Sequence, residues 1–372
     1  MTAPQAAHLS RSLITWYRRH RRALPWRRSR DPYRIWISEV MLQQTTVKAV
    51  IPYYRRFLRR FPTLGALARA RLETVLAAWS GLGYYRRARH LHAAARRIVE
   101  AHAGRFPRRA ADILALPGIG RYTAGAILSI AFGQREPVLD GNVERVLSRL
   151  VLLRTDPRAA AGRERLWSLA RALVGATASP GDLNQSLMEL GATLCTPLDP
   201  ACAVCPLTRR CAARAAGMQE SVPAPRRRRP PIMVRSSVAL VARHGRYLMR
   251  RRQDTGLMDG LWEFPALGAN GGDDNIDRPR LRSLGRLATL RHSITYRRIV
   301  VEVHRARLLS EPRGAGYRWV TPAAARRLPV SSLVPKVLEA LRDDAGRRGR
   351  VTAGALRPRR AVQRRAPRRV RV

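Results

Sequence analysis

Hydrophobic positions recur with a helical period along the first two thirds of the chain. Leu9, Leu13, Trp16 and Tyr17 have the i, i+4, i+7, i+8 spacing of an amphipathic helix. The same period marks further segments at 35–60, 66–79, 85–103, 110–116, 122–132, 142–152 and 164–176. Proline and glycine separate these segments, and none shows the alternation of a strand. The pattern predicts a mainly α-helical N-terminal domain over residues 1–220.

The pattern changes after a segment rich in proline and arginine. Residues 221–233 include four consecutive arginines between prolines, which is typical of a linker. Short apolar or β-branched runs then predict strands at 237–243, 247–252 and 299–303, the first two joined as a hairpin, and a helix at 333–341. These elements predict an α/β domain over residues 234–342. The tail at 343–372 is rich in Arg, Pro, Ala and Gly without periodicity, and we expect it to be disordered.

The charge of the chain points to a polyanionic partner. Its 372 residues include 72 Lys and Arg against 25 Asp and Glu, a formal net charge of +47. A GC-rich genome would also favour arginine, but codon bias alone does not remove acidic residues. We therefore expect nucleic-acid binding. No stretch has the 18 or more apolar residues of a membrane helix, and the N-terminus lacks the apolar region of a signal peptide. We expect a cytoplasmic, nucleoid-associated monomer with no membrane partner.

Four cysteines are clustered near the end of the helical part. Cys195, Cys202, Cys205 and Cys211 have the spacing C-x6-C-x2-C-x5-C. Four thiolates suit zinc or an iron–sulfur cluster. Zinc sites more often pair two C-x2-C units. One such pair between two wider gaps instead lets the chain surround a group larger than a single metal ion. The spacing resembles the 4Fe-4S loop of the endonuclease III and adenine glycosylase superfamily, which implies a 4Fe-4S cluster. Zinc and free thiols remain the alternatives.

A glycine-containing turn separates two of the predicted helices. The sequence LPGIGRYTAG, residues 116–125, allows a tight turn at Gly118 and Gly120, followed by helix amides that can bind an anion. In isolation, an ordinary turn between helices explains the sequence equally well. Together with the cysteine loop downstream, it resembles a helix-hairpin-helix. The resemblance implies contacts with the DNA backbone without sequence preference, and a monovalent cation on the turn carbonyls.

Two carboxylates have the environments that acid–base chemistry needs. Glu39 lies on an apolar helical segment, where desolvation should raise its pKa. Asp140 precedes a predicted helix, where an N-cap position should keep it ionised. One raised and one lowered carboxylate are the pair that glycosidic cleavage uses. Taken separately, Glu39 could be a surface residue and Asp140 a plain N-cap.

Five motifs in fixed order identify a family resemblance over roughly residues 8–340. SEVMLQQT, GLGYYRRAR, LPGIGRYTAG, LDGNVERVLSRL and the cysteine loop resemble the adenine DNA glycosylases, which act on A/G and A/8-oxoguanine mismatches in double-stranded DNA. The resemblance implies that Glu39 protonates the flipped adenine at N7 and that Asp140 stabilises the oxocarbenium ion. It also implies that Tyr122 and Asn142 orient the sugar, the water and the carboxylates.

The resemblance extends to the absence of strand cleavage and to the reading of the mismatch. Bifunctional relatives have a lysine at the position of Tyr122 that forms a Schiff base, so a tyrosine implies base excision without an intrinsic β-lyase step. The residues that match the family's intercalating and opposite-base-reading positions are Leu42, Gln43, Gln44 and Tyr84.

The second domain also carries a resemblance. The stretch GLMDGLWEFPALG, residues 256–268, resembles the Nudix-like C-terminal domain of the same glycosylases, which senses 8-oxoguanine. No Nudix hydrolase pattern follows it, so we do not expect nucleotide pyrophosphate hydrolysis. A Phe-Ser-His triplet reads the lesion in the family, and this chain has Ile294, Thr295 and Tyr296 there. A thymine or uracil mismatch glycosylase and a non-catalytic iron–sulfur DNA-binding protein remain the alternative functions.

Overall fold

The computed structural model describes residues 1–224, 230–253, 258–267, 279–294, 296–312 and 316–342. These residues fall into two compact units: the first comprises the described residues up to 224 together with 258–260, and the second comprises 230–253 and the described residues from 261 onward. Among the described residues, no helix is both long and apolar enough to cross a membrane.

The first unit is built from α-helices. They are α1 Ala3–His20, α2 Pro32–Leu42, α3 Val47–Arg60, α4 Leu64–Arg69, α5 Leu72–Trp79, α6 Arg86–Ala101, α7 Ala110–Leu114, α8 Arg121–Phe132, α9 Gly141–Leu150, α10 Ala160–Gly175, α11 Pro180–Thr193 and α12 Ala212–Ala215. Several begin at a side-chain N-cap, in which an oxygen of Thr2, Asp31, Thr46, Thr63 or Asp140 accepts a backbone N–H bond.

The predicted helical segment at 35–60 is divided in the structure. Helix α2 ends at Leu42, and Thr46 caps the start of α3. Between them, Gln44 has a left-handed φ of 56°, which a continuous helix does not allow. The break therefore exposes a short loop directly after the helix that carries Glu39.

Close helix packing positions the second carboxylate. A Cβ at Gly125 of α8 would lie 2.1 Å from the carbonyl oxygen of Pro137, so this glycine lets α8 contact the segment that leads to Asp140. A Cβ at Gly191 of α11 would lie 2.6 Å from the Cβ of Asn142, so α11 and α9 also approach closely. Large buried side chains, including Trp36 of α2, fill the core of this unit.

The second unit contains two sheets. Its strands are β1 Ile232–Leu240, β2 Ala242–Arg243, β3 Arg246–Arg251, β4 Trp262–Glu263, β5 Leu281–Ile294, β6 Arg297–Leu308 and β7 Tyr317–Val320. In the first sheet the order is β1-β6-β5, with β1 parallel and β5 antiparallel to β6. In the second, β3 pairs with β2, β4 and β7. Helix α13, Pro322–Ala325, and helix α14, over 333–342, complete the unit.

The predicted β2–β3 hairpin and the predicted helix near 333–341 are both present. His244 and Gly245 have φ values of 46° and 70°, as the two-residue turns between antiparallel strands require. Val334, Val337 and Leu338 of α14 lie in a core with residues of β1, β3, β4, β6 and β7.

Candidate active site

A cleft of about 830 Å³ opens in the helical unit. Helices α2, α8, α9 and α11 contribute its walls. Seven of the residues singled out in the sequence line it: Glu39, Leu42, Gln43, Gln44, Tyr122, Asp140 and Asn142. Tyr84, Gly118 and Gly120 belong to the same unit but do not line this cleft.

Glu39 is buried in the cleft and is held by Tyr122. Its residue exposure is 5%, which excludes the interpretation as a surface glutamate. The Tyr122 hydroxyl donates a hydrogen bond of 2.6 Å to Oε2 of Glu39. Burial raises the pKa of Glu39 to about 7, the hydrogen bond from Tyr122 opposes the rise, and the charge of Asp140 adds to it. A carboxyl group with this pKa can donate a proton near neutral pH.

Asp140 is the N-cap of α9. Its Oδ1 accepts hydrogen bonds from the backbone N–H groups of Asn142, at 3.0 Å, and Val143, at 2.8 Å. Its Oδ2 accepts one of 3.2 Å from Nδ2 of Asn142. The expectation of a lowered pKa is wrong: burial raises the pKa of Asp140, and the hydrogen bonds from Val143 and Asn142 only oppose that rise. The desolvation penalty therefore outweighs the N-cap at this position, next to which α8 and α11 pack closely.

Sequence reasoning missed an ion cluster in the cleft wall. Nη2 of Arg22 lies 2.7 Å from Oε2 of Glu189, and Nη2 of Arg27 lies 2.9 Å from the same oxygen. Burial alone would raise the pKa of Glu189, but the hydrogen bonds from Arg22 and Arg27 lower it to about 2. All three residues line the cleft. The partners are more than 160 residues apart in the chain, so no local pattern could pair them.

Two of the expected mismatch-reading residues have strained backbones. Gln44 and Tyr84 have φ values of 56° and 49°, a region that side chains other than glycine seldom adopt. Tyr84 is 45% exposed, so its ring is available for contact. Nε2 of Gln43 lies 3.4 Å from Oγ1 of Thr123 at the start of α8. Such strain often marks functional loops.

The two hairpin glycines differ in their local geometry. Gly118 has a φ of 75°, and a Cβ there would lie 2.5 Å from the Cβ of His90, so only glycine fits. Gly120 is the N-cap of α8 without a side-chain cap, and a Cβ there would contact nothing within 4 Å. Because Gly120 has no side chain, it does not cap the first N–H groups of α8. An anion site at this helix start requires such uncapped N–H groups.

The four cysteines line one small cavity beside α9. Within residues 1–224, which include all the cysteines, no three Cys, His, Asp or Glu side chains are grouped as a single metal ion requires. Arg149 of α9 is 2% exposed and donates to Sγ of Cys195 at 3.3 Å. The same guanidinium donates to the carbonyl oxygens of Thr196, Pro197 and Val222. Four thiolates around one cavity with a buried cation fit a 4Fe-4S cluster, whose thiolates are further apart than those of zinc.

Two residues of the expected lesion-reading triplet, Ile294 and Tyr296, lie where β5 ends and β6 is about to begin. Ile294 ends β5 and pairs in register with Arg297, the first residue of β6. The backbone N–H of Ile232 donates to the carbonyl oxygen of Tyr296 at 2.9 Å, and the Arg297 guanidinium lies 5.2 Å from the Tyr296 ring. Thr295 lies outside the described residues.

Comparisons with known proteins match both units. Residues 37–172 match the HhH-GPD superfamily base excision DNA repair proteins, and residues 237–340 match the NUDIX domain. The adenine DNA glycosylase of Homo sapiens is 36% identical over 88% of this chain and 72% of its own length. That of Mus musculus is 36% identical over 89% of this chain and 77% of its own. The solved structure of a thermostable thymine-DNA glycosylase is 28% identical with a TM-score of 0.51, over 58% of this chain and 100% of that chain.

Proposed function

Since the chain belongs to the adenine DNA glycosylase family, we propose that it hydrolyses the N-glycosidic bond of adenine mispaired with 8-oxoguanine or guanine in double-stranded DNA. The observation that carries the chemistry is the 2.6 Å hydrogen bond between Tyr122 and a buried Glu39 whose pKa is raised to about 7. A proton donor of this kind suits a leaving group that departs as a neutral base.

The contacts of the site residues support the following role for each. Glu39 protonates N7 of an adenine that is flipped out of the stack into the cleft. Asp140, ionised, stabilises the positive charge that develops on the sugar, and Asn142 holds its Oδ2. Tyr122 fixes the Glu39 carboxyl group, and Arg22, Arg27 and Glu189 supply further polar groups to the cleft wall.

The enzyme is proposed to be monofunctional. A phenol at Tyr122 cannot form a Schiff base with the sugar, and Lys48 of α3 is the one lysine among the residues that line the cleft. The product is therefore an abasic site in an intact strand. A covalent complex trapped by borohydride would contradict this, and its loss in Lys48→Gln would identify the amine responsible.

Three further parts serve binding and recognition. Gly118 and Gly120 of the hairpin bind the DNA backbone, with a monovalent cation on the turn carbonyls. The NUDIX-like unit senses 8-oxoguanine through Ile294, Thr295 and Tyr296. The residues that enter or read the base stack are Leu42, Gln43, Gln44 and Tyr84.

The protein works as an intracellular monomer at the nucleoid. The four cysteines would hold a 4Fe-4S cluster, which would fix the loop after α11.

A panel of duplexes tests the function. The purified protein is incubated with A/8-oxoguanine, A/G, T/G and U/G duplexes, and strand breaks are counted before and after alkali. We expect adenine release, fastest from A/8-oxoguanine, with breaks only after alkali. Thymine or uracil release would support a mismatch glycosylase of that specificity. Binding without release of any base would support a non-catalytic DNA-binding protein.

A further inference from the structure

Arg87 of α6 holds the C-terminal end of α2. Its Nη1 donates to the carbonyl oxygens of Val40, at 2.8 Å, Met41, at 2.9 Å, and Gln43. The last carbonyls of a helix have no partner within the helix, so a side chain must satisfy them where water is excluded. A single guanidinium therefore caps the helix that carries Glu39.

The same guanidinium also holds the loop that presents Tyr84. Its Nη2 donates to the carbonyl oxygen of Gly83 at 3.2 Å and contacts that of Leu82 at 3.4 Å. Nη2 also donates to Oγ1 of Thr45 at 3.2 Å, across the gap between the two loops. The guanidinium carbon lies 5.4 Å from the centre of the Tyr84 ring, within the range of a cation–π interaction.

Each loop contains one strained residue. Gln44 has a φ of 56° and lies within the segment 42–45; Tyr84 has a φ of 49° and ends the segment 82–84. Residues other than glycine stay in this region only where their surroundings hold them. The contacts of Arg87 lie on both sides of Gln44 and directly before Tyr84.

Among the described residues, Arg87 has no carboxylate partner. Within the part of the chain that the structure describes, its hydrogen bonds go to carbonyl and hydroxyl oxygens and none goes to a carboxylate. Burial lowers the pKa of Arg87 to about 10, so the group stays protonated at neutral pH. The forked arrangement of its N–H donors allows one guanidinium to make all these hydrogen bonds. Lysine, a single point charge, cannot reproduce that arrangement.

We propose that Arg87 is a positioning residue that fixes segments 42–45 and 82–84 relative to each other, so that Gln44 and Tyr84 enter the base stack as one wedge. This inference rests on the proposed function, because it assumes that these two segments read DNA. It implies that Arg87 contributes most to the rate of adenine release where the target adenine must be separated from a stacked pair. Its contribution should be smaller where no pair has to be opened.

The test compares Arg87→Lys with its neighbour Arg86→Lys, an exposed position with the same change in chemistry. Single-turnover rates of adenine release are measured on A/8-oxoguanine and on adenine opposite a tetrahydrofuran abasic analogue. We expect Arg87→Lys to lower the rate on the mismatch roughly tenfold or more, and less than about threefold opposite the analogue. Arg86→Lys should change neither rate by more than about threefold. The proposal would be overturned if Arg87→Lys lowered the rate equally on both duplexes, or if the two variants had equal rates.

Two further measurements separate folding and catalysis from positioning. Thr45→Val keeps Arg87 and removes one acceptor between the loops, so a smaller loss on the mismatch alone is expected even if Arg87→Lys does not fold. The fluorescence of 2-aminopurine next to the mismatch reports unstacking on binding without any base release. Arg87→Lys should lose this increase and Arg86→Lys should keep it. If the wild type unstacks the DNA but releases no adenine, the proposed function fails while the role of Arg87 stands.

Discussion

At the scale of single residues, the hydrogen bond between Tyr122 and Glu39 shifts the pH range of the proposed reaction. The bond favours the ionised carboxylate and so opposes the rise in pKa that burial causes. In the proposed mechanism Glu39 must be protonated to act as an acid, so we expect the rate to fall as the pH rises through its pKa. Tyr122→Phe removes the bond, which raises the pKa of Glu39 further. We expect this falling limb of the pH–rate profile to move to higher pH.

Single-turnover rates between pH 5 and 9 measure this limb in the wild type and in Tyr122→Phe. A limb that stays in place, or that moves to lower pH, would show that Glu39 is not the group whose protonation limits the rate. The rate at low pH, where Glu39 is protonated in both proteins, shows separately what Tyr122 contributes to orientation.

The sequence predicted the surroundings of Glu39 better than those of Asp140. The apolar neighbours of Glu39 on its own helix were enough to predict burial and a raised pKa. For Asp140, the local N-cap pattern predicted the hydrogen bonds correctly but the wrong direction of the pKa. The burial that decides it depends on tertiary packing around Asp140, where Gly125 of α8 approaches Pro137 and Gly191 of α11 approaches Asn142. Such contacts are distant in the sequence.

At the scale of elements, the hairpin before α8 depends on one of its two glycines for its fold. Gly118→Ala places a Cβ against His90 at a positive φ, whereas Gly120→Ala meets open space. We expect Gly118→Ala to lower the free energy of unfolding by about 1–3 kcal/mol and Gly120→Ala to change it little. Urea unfolding of both variants measures this difference. Equal stability of the two would mean that the turn relaxes without cost.

The contact between α9 and the cysteine loop makes a second prediction at this scale. Arg149→Leu removes a buried cation that donates to Cys195, whereas Arg154→Leu removes an exposed arginine from the same region. We expect the first variant to retain less iron and less absorbance near 400 nm, because four thiolates lose their nearest buried positive charge. Iron, sulfide and zinc are measured on both. Stoichiometric zinc without iron in the wild type would end the cluster assignment.

The strands show where periodicity fails. The β2–β3 hairpin was predictable because its turn residues and alternation are local. Strand β5, Leu281–Ile294, was missed although it is the longest strand described. Two register shifts, at Ser283/Gly285 and Arg286/Ala288, change which face each side chain occupies, so no single alternation runs through it. The break between α2 and α3 was also missed. Apolar residues lie at the end of α2 and at the start of α3, so the helical period of the sequence continues across the loop.

At the scale of the whole molecule, the change in pattern near residue 221 and the high positive charge were visible in the sequence. The order of the strands was not, because the parallel pairing of β1 with β6 joins segments about 65 residues apart.

The proposal assigns catalysis to the helical unit and lesion sensing to the second unit, and this assignment leads to a prediction. Thr295→Ala with Tyr296→Phe should lower the preference for 8-oxoguanine over guanine by roughly 5- to 150-fold, as the loss of a buried hydrogen bond would.

Excision rates and affinities on A/8-oxoguanine and A/G duplexes measure that preference. The rate on A/G should change much less, because Glu39 and Asp140 lie in the helical unit. An unchanged preference in this double variant would place lesion sensing at other residues.

The most direct test of the central claim is the single-turnover release of adenine from an A/8-oxoguanine duplex by wild type and by Glu39→Gln, with duplex affinity measured in parallel. The wild type should release adenine and leave a strand that breaks only in alkali. Glu39→Gln should bind within about threefold of the wild type and release adenine at least about a hundredfold more slowly, because only the proton donor is lost. Release at the wild-type rate by Glu39→Gln, or no adenine release by the wild type, would contradict the assignment.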